Sequence, residues 1–404
     1  MTRCLDGGTL NVTRRLPLRR AIILLVLASF VLAACGRSPD SNWPGMTADQ
    51  QGVVYVAYGA GVTAVDVKSN EQLWTFSPQS VDRSAAIFAP PTVVDGRVVF
   101  GDFGASSGFF SPGKNVSVYS LDASDGAVNS NWPSSPTAKD GTSAQDRIVA
   151  PALVADNTIF FGTADNMVFA LDAETAQPVW SAPFKAAHSI WGQPAYIDGV
   201  VYVPSLDKTV YALDASDGSI IWETGVEGSV SDRVVSNSDL VYVGSFDGHA
   251  YALDSQSGEI RWSAPAEATA AVWGAPVYVD GVVYFADLEG NVFAVDGETG
   301  TQLWNVSGAG YVVGQPVYLD GKLLVASAGD PSTPTAERSG ELIAYDAASG
   351  SELWRRSTDK PLFSTPVIAD DTIVVAQENA EALLVYFNAD GDETGTFALP
   401  TSQE

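Results

Sequence analysis

The chain has 404 residues, 46% of them hydrophobic and only 17% charged, with a formal net charge of −27. That apolar content supports a large core and excludes a disordered chain. An acid surplus of this size repels phosphate, which excludes a nucleic-acid binder and disfavours electrostatic docking on anionic lipid.

Residues 1–34 read as an export signal, not as part of the fold. Arg14, Arg15, Arg19 and Arg20 give a positive start, and Ala21–Leu32 follows as an apolar run too short for a comfortable membrane span. Leu32-Ala33-Ala34-Cys35 then has the order of a bacterial lipobox, which makes Cys35 the expected lipidated first residue of the mature chain. Thr13–Arg19 partly resembles a twin-arginine export signal, with Pro17 where that pattern prefers Phe. Cys4 and Cys35 are the two cysteines, so the folded part is expected to hold neither a disulfide nor a thiolate metal site. Residues 35–42 read as a lipidated tether. Gly36–Asn42 reaches roughly 25 Å at full extension, which would keep the folded body near a membrane.

From 43 to 404 one unit recurs, most clearly in Asp198–Trp222. Asp198-Gly199 is a hairpin turn. Val200–Val203, Val210–Asp214 and Ile220–Trp222 are β-branched and aromatic strands, and Trp191–Ile197 supplies one more ahead of them. Each unit carries an Asp near the end of its third strand and a Trp in its fourth. The pairs are Asp66/Trp74, Asp122/Trp132, Asp172/Trp180, Asp214/Trp222, Asp254/Trp262, Asp296/Trp304 and Asp346/Trp354. A worn eighth copy aligns Asn388 with Phe397; it is the weakest repeat, and a seven-bladed ring with an extra C-terminal sheet is the alternative. The Asp positions are 56, 50, 42, 40, 42, 50 and 42 residues apart, counting on to Asn388. A spacing near 42 with four strands per unit predicts an all-β, eight-bladed propeller of four-stranded antiparallel blades. Three of the copies depart from the pattern. Trp132 lies two residues further from its Asp than the others. Asn70, which also tolerates positive φ, stands in the first copy where most units place a Gly four residues after the Asp, and Ala176, which does not readily, stands there in the third.

A Trp and an Asp at fixed repeat positions are best read as scaffold: the indole as packing between blades, the carboxylate as a turn brace. Departures from the repeat are the better candidates for function. Three insertions, Gly104–Asn115, Pro133–Arg147 and Gly329–Gly340, are expected on one rim, because second-to-third-strand loops and blade connections leave a blade on the same side. Phe109 and Phe110 are candidate partner contacts within the first of these. The starts of the innermost strands place Arg83, Asp146, Arg147, His188, Trp191, Gln193, Asp232, Arg233, Trp273, Tyr311 and Gln315 at a channel mouth. Among them Trp191, Trp273 and Tyr311 are further candidate contacts, with packing as the competing role.

The repeat Ala212-Leu213-Asp214…Gly218…Trp222 resembles the tryptophan-docking motif of quinoprotein-like (PQQ-type repeat) β-propellers, and Ala294-Val295-Asp296-Gly297-Glu298-Thr299-Gly300…Trp304 matches every named position of it. Enzymes and non-enzymes share that motif, so it implies fold and not chemistry. The enzymatic relatives use a calcium-bound quinone, a carboxylate base and often paired cysteines. This chain lacks the cysteine pair and an identifiable calcium ligand set, so no catalytic, cofactor-binding or metal residue and no cofactor is expected. Asn388–Glu393 imitates a calcium loop, but its glycine is misplaced and position twelve is Leu399. Lipobox, length and blade number are similar to the BamB type of envelope lipoprotein. That resemblance implies a lipid-anchored, non-catalytic protein-interaction scaffold facing periplasm or exterior, with envelope partners, a role in outer-membrane protein assembly, and a monomeric state. The competing expectation is a PQQ-dependent dehydrogenase or small-ligand sensor at the channel mouth, with PQQ and calcium as its cofactors.

Overall fold

The computed structural model describes residues 44–59, 61–78, 87, 89–103, 116–265, 270–378 and 380–399. The export signal, Cys35, the tether, Arg83, Phe109, Phe110 and the rest of Gly104–Asn115 lie outside these residues.

Each blade folds from one contiguous stretch of chain. Blade 4 is typical: Ala195–Ile197, Val200–Pro204, Thr209–Asp214 and Ile220–Gly225 pair in sequence order, all antiparallel. Blades 1 to 8 begin at Gly45, Thr92, Leu153, Ala195, Val235, Val277, Val317 and Val367. Seven are four-stranded sheets and blade 2 is three-stranded. In blade 2 isolated bridges from Val118 to Ser134 and from Leu121 to Val128 stand where the fourth strand would lie. The first hairpins of blades 2, 3, 4, 6 and 7 close on two residues of positive φ, as at Asp95 (49°) and Gly96 (71°), which matches the right-handed twist of the strands they join.

Side chains alternate across each strand, so a blade presents an apolar face to both neighbours. The second and third strands are therefore buried along nearly their whole length, while the fourth buries one face only. The apolar clusters lie between blades. Tyr202, Ala212 and Trp222 of blade 4 pack on Val241, Val243 and Leu253 of blade 5. An equivalent layer joins blade 8 to blade 1, where Val54, Val56 and Val65 meet Val374, Tyr386 and Phe397. Among the described residues the ring thus closes by side-chain packing between its first and last blades, with no strand exchanged. Asn70 Nδ2 donates to the Thr396 carbonyl at 3.1 Å, and Ser364 Oγ to that of Pro44, across the same seam.

Candidate functional site

The tryptophans sit in seats built by the next blade. Trp180 is 1% exposed, and its Nε1 donates to the Ala215 carbonyl at 2.9 Å. Its ring lies so close to Gly218 that an added Cβ would stand 2.8 Å from Cδ2. Trp74, Trp222, Trp262, Trp304 and Trp354 do the same at the carbonyls of Ala123, Ser255, Gly297, Ala347 and Ala389. Gly126, Gly258, Gly300, Gly350 and Gly391 lie under those rings. The glycine answers two demands at once: positive φ and the approach of the ring.

The seven Asp brace the turn that follows the third strand of blades 1 to 7, and with it the seat carbonyl one residue on. Oδ1 of Asp66, Asp122, Asp172, Asp214, Asp254, Asp296 and Asp346 accepts the amides of Ser69, Ser124, Thr175, Ser216, Ser257, Thr299 and Ser349. Such bonds favour the ionised form. Hydroxyls and then amides in the turn hold the Asp122, Asp296 and Asp346 carboxyls below the usual range. The Thr175 amide leads for Asp172, and the Arg261 guanidinium, 2.6 Å away, leads for Asp254.

The two irregularities of blades 2 and 3 are one arrangement. Trp132 is buried at this seam, but among the described residues its Nε1 has no hydrogen-bond partner. Ala176 holds the glycine position at φ 56°, where an indole stacked as Trp180 is on Gly218 would meet its methyl group. Arg97 takes over the seat: its Nη1 donates to the Ala173 carbonyl at 2.6 Å. Blade 8 corrects the expected alignment. Its turn closes from Gly391 N to the Asn388 carbonyl, one residue tighter than the Gly350 N to Asp346 bond of blade 7. Gly395, not Phe397, therefore stands in the tryptophan register, opposite Tyr386 where blade 7 pairs Trp354 with Ala344. The large and small residues have changed strands. The calcium-like loop is the seat of Trp354, with Arg356 Nε donating to the Gly391 carbonyl at 2.7 Å.

Loops and blade connections share a face, as their backbone bonds require. Leu206 N donates to the Ser189 carbonyl, Phe246 N to Ser229, and Leu288 N to Ala271, so each turn touches the connection entering its own blade. Most of the polar residues expected at the mouth stitch neighbouring blades. Gln193 Nε2 donates to the Ala152 carbonyl at 2.7 Å, and Asp232 Oδ2 accepts the Ala275 amide at 2.9 Å. Gln315 Oε1 accepts Arg233 Nε at 2.8 Å, its Nε2 donates to the Pro276 carbonyl, and its backbone N–H donates to Thr365 Oγ1. Asp146 Oδ1 accepts Arg147 Nε at 2.9 Å, and that guanidinium lies over the Phe103 ring. His188 Nδ1 accepts the Ser189 amide.

Of the candidate contacts, Trp273 and Tyr311 come together around Val313, Ala328 and Phe363, with Leu288 beside them and Phe246 against the Trp273 ring at 4.9 Å. Trp191 is half-buried and outside this cluster, and its Nε1 is buried without a partner among the described residues. Phe246, Leu288 and Phe363 were not singled out in the sequence. For Phe246 and Leu288 the signal is an apolar residue inside an otherwise polar turn, as in Ser245-Phe246-Asp247 and Asp287-Leu288-Glu289; Phe363, beside Leu362 in the connection into blade 8, carries no such signal. The insertions differ in kind. Pro133–Arg147 runs along the seam of blades 2 and 3, burying Ala138 and Ala144 and donating from Lys139 Nζ to the Val179 carbonyl. Gly329–Gly340 carries a short 3-10 turn at Thr335–Glu337 and folds around Arg338, whose Nη2 donates to the Thr333 carbonyl at 2.8 Å.

The family described as outer membrane protein assembly factor BamB matches residues 38–190, 182–310, 269–336 and 312–394. The chain belongs to the BamB family. This BamB-family chain superposes on BamB from Moraxella catarrhalis with a TM-score of 0.59 at 18% identity, covering 78% of this chain and 90% of that one. The computationally designed Ika8 protein gives 0.65 at 15% identity, covering 89% and 98%. The C-terminal WD40 domain of Sif2 gives 0.65 at 12%, covering 84% and 94%. These likenesses are of fold. The quinohemoprotein alcohol dehydrogenase ADH-IIG of Pseudomonas putida is 30% identical over 135 residues, 32% of this chain but 17% of that enzyme's length.

Proposed function

We propose that this chain is a lipid-anchored, extracytoplasmic scaffold that holds envelope proteins during outer-membrane protein assembly, and that it catalyses no reaction. The observation that carries this reading is the BamB-family match across residues 38–394, which reaches into every blade. The mouth agrees with it: the carboxylates of Asp146 and Asp232 and the amides of Gln193 and Gln315 are engaged by neighbouring residues. The cluster of Trp273, Tyr311 and Phe363 is the contact surface this reading favours on the loop-bearing face.

The test pairs two measurements on the mature chain. Deleting it from its host should lower the amount of β-barrel protein in the outer membrane, and Trp273→Ala with Tyr311→Ala should reproduce part of that loss without unfolding the protein. Loading with pyrroloquinoline quinone and calcium should give no dye-linked alcohol or sugar oxidation. Turnover in that assay, or unchanged barrel levels in the deletion strain, would overturn the proposal.

A further inference from the structure

One docking seat is built unlike the others. At the seam of blades 8 and 1, a groove of about 310 Å³ runs between Val67, Lys68 and Asn70 of blade 1 and Thr372, Tyr386 and Thr394 of blade 8. Val67 follows Asp66 as Ala215 follows Asp214, so its carbonyl is the counterpart of those that accept an indole. Among the described residues it accepts no hydrogen bond. Tyr386 is 3% exposed, and its hydroxyl has no partner there either.

The shape of the seat selects its occupant. Asn70, at φ 57°, stands where six other blades have glycine, so its Cβ excludes a ring stacked as Trp180 is on Gly218. Blade 3 faces the same constraint through Ala176, and there the carbonyl is met by the thinner, planar guanidinium of Arg97. Arg97 opens the second strand of blade 2 opposite Val94; Thr372 opens that of blade 8 opposite Ala369. Blade 8 thus has a short hydroxyl where blade 2 supplies an arginine. Asn70 Nδ2 is bonded to Thr396, leaving Oδ1 as an acceptor, and the Thr372, Thr394 and Tyr386 hydroxyls add others. A flat, five-donor cation suits such a set better than a point-like ammonium. The acidic surface, −27 over the chain, favours a basic partner.

We infer that the groove between blades 8 and 1 receives an arginine side chain of a partner protein, its guanidinium donating to the Val67 carbonyl as that of Arg97 does to Ala173. This rests on the scaffold reading only for the existence of a partner, because guanidinium binding is measurable without one.

The test titrates the full mature chain in detergent with the peptide amide Gly-Ser-Arg-Ser-Gly, read by calorimetry and by hydrogen exchange at residues 67–70. Saturable binding with protection at Val67–Asn70 is expected. The citrulline peptide, which has the same outline without the charge, should bind about fivefold or more weakly. Thr372→Arg supplies a guanidinium from within and should reduce binding by about fivefold or more. Lys68→Glu changes an exposed rim charge with little risk to folding and should tighten binding about threefold. Equal binding of the citrulline peptide, or protection elsewhere in the ring, would sink the proposal. Free L-arginine binding as tightly as the peptide would overturn the partner assignment in favour of a small ligand. Barrel assembly that fails in the deletion strain while the peptide does not bind would leave the scaffold reading standing and remove this one.

Discussion

Arg97 Nη1 lies 2.6 Å from the Ala173 carbonyl, in the place an indole Nε1 takes at the carbonyls of Ala123, Ala215, Ser255, Gly297, Ala347 and Ala389. A guanidinium and an indole are interchangeable at this point because the seat asks for a flat group with one N–H aimed at a carbonyl. The choice between them follows the residue beneath: glycine admits the ring, whereas a Cβ leaves room for the thinner cation.

Substitutions beneath the seats should therefore have opposite outcomes at two homologous positions. Gly218→Ala puts a methyl 2.8 Å from Trp180 at φ 79°, and should cost about 2 kcal/mol or more. Ala176→Gly relieves a left-handed residue while losing one buried methyl, so stability should change by less than about 1 kcal/mol. Chemical denaturation of the two variants beside the parent checks the contrast.

The tryptophans should not be equivalent. Trp180→Phe loses packing and leaves the Ala215 carbonyl without its donor; Trp132→Phe removes an Nε1 that has no partner among the described residues. The first should destabilise by about 2 kcal/mol and the second by at most about half of that. A larger loss at Trp132 would contradict the division of labour between Trp132 and Arg97. Arg97→Met should cost about 1 kcal/mol, since its side chain is 30% exposed and the bond is only partly shielded from water.

Gln315 joins blade 7 to Arg233 of blade 5 and to Pro276 of blade 6, while its backbone meets Thr365 ahead of blade 8. Gln315→Leu keeps the volume but leaves the buried Pro276 carbonyl without its donor, whereas the exposed Arg233 can turn to water. The substitution should cost about 1–2 kcal/mol. Hydrogen exchange should show faster opening at the connections into blades 6 and 7, with the outer strands little changed.

Two sets of carboxyls give stability opposite pH slopes. Burial pushes Glu378, 7% exposed, up to about 7 from 4.5. The folded state then holds its proton more tightly than the unfolded chain. This contribution is complete below the unfolded pKa near 4.5 and is lost as pH rises to about 7. Glu378→Gln should remove that slope and raise stability at pH 8 by about 2 kcal/mol, measured by denaturation at pH 4.5, 6 and 8. The turn carboxyls Asp122, Asp172, Asp254, Asp296 and Asp346 are shifted down, so their contribution is present above the unfolded value of 3.8 and disappears as pH falls. Asp254→Asn should flatten the acid limb below pH 3.8.

By itself, the sequence determined the repeat, the strand order and the docking rule, because each is local; that the worn last copy closes the ring as an eighth blade was decided by its packing on blade 1. The Asp-Gly turns, the Asp braces and the Trp offset recur within about 25 residues, and alternation along a strand fixes which side chains face a neighbour. It also marked Trp132 and Ala176 as irregular. Only the tertiary structure decided that they belong to one seam, because Arg97, Trp132 and Ala176 lie in separate stretches of the chain and meet only when blade 3 packs on blade 2. Tertiary structure likewise put Gly395 in the register expected for Phe397, since a turn one residue tighter shifts every later pairing. It gathered Trp273, Tyr311 and Phe363 from three blade connections into one cluster, a proximity created by ring closure that no spacing along the chain encodes.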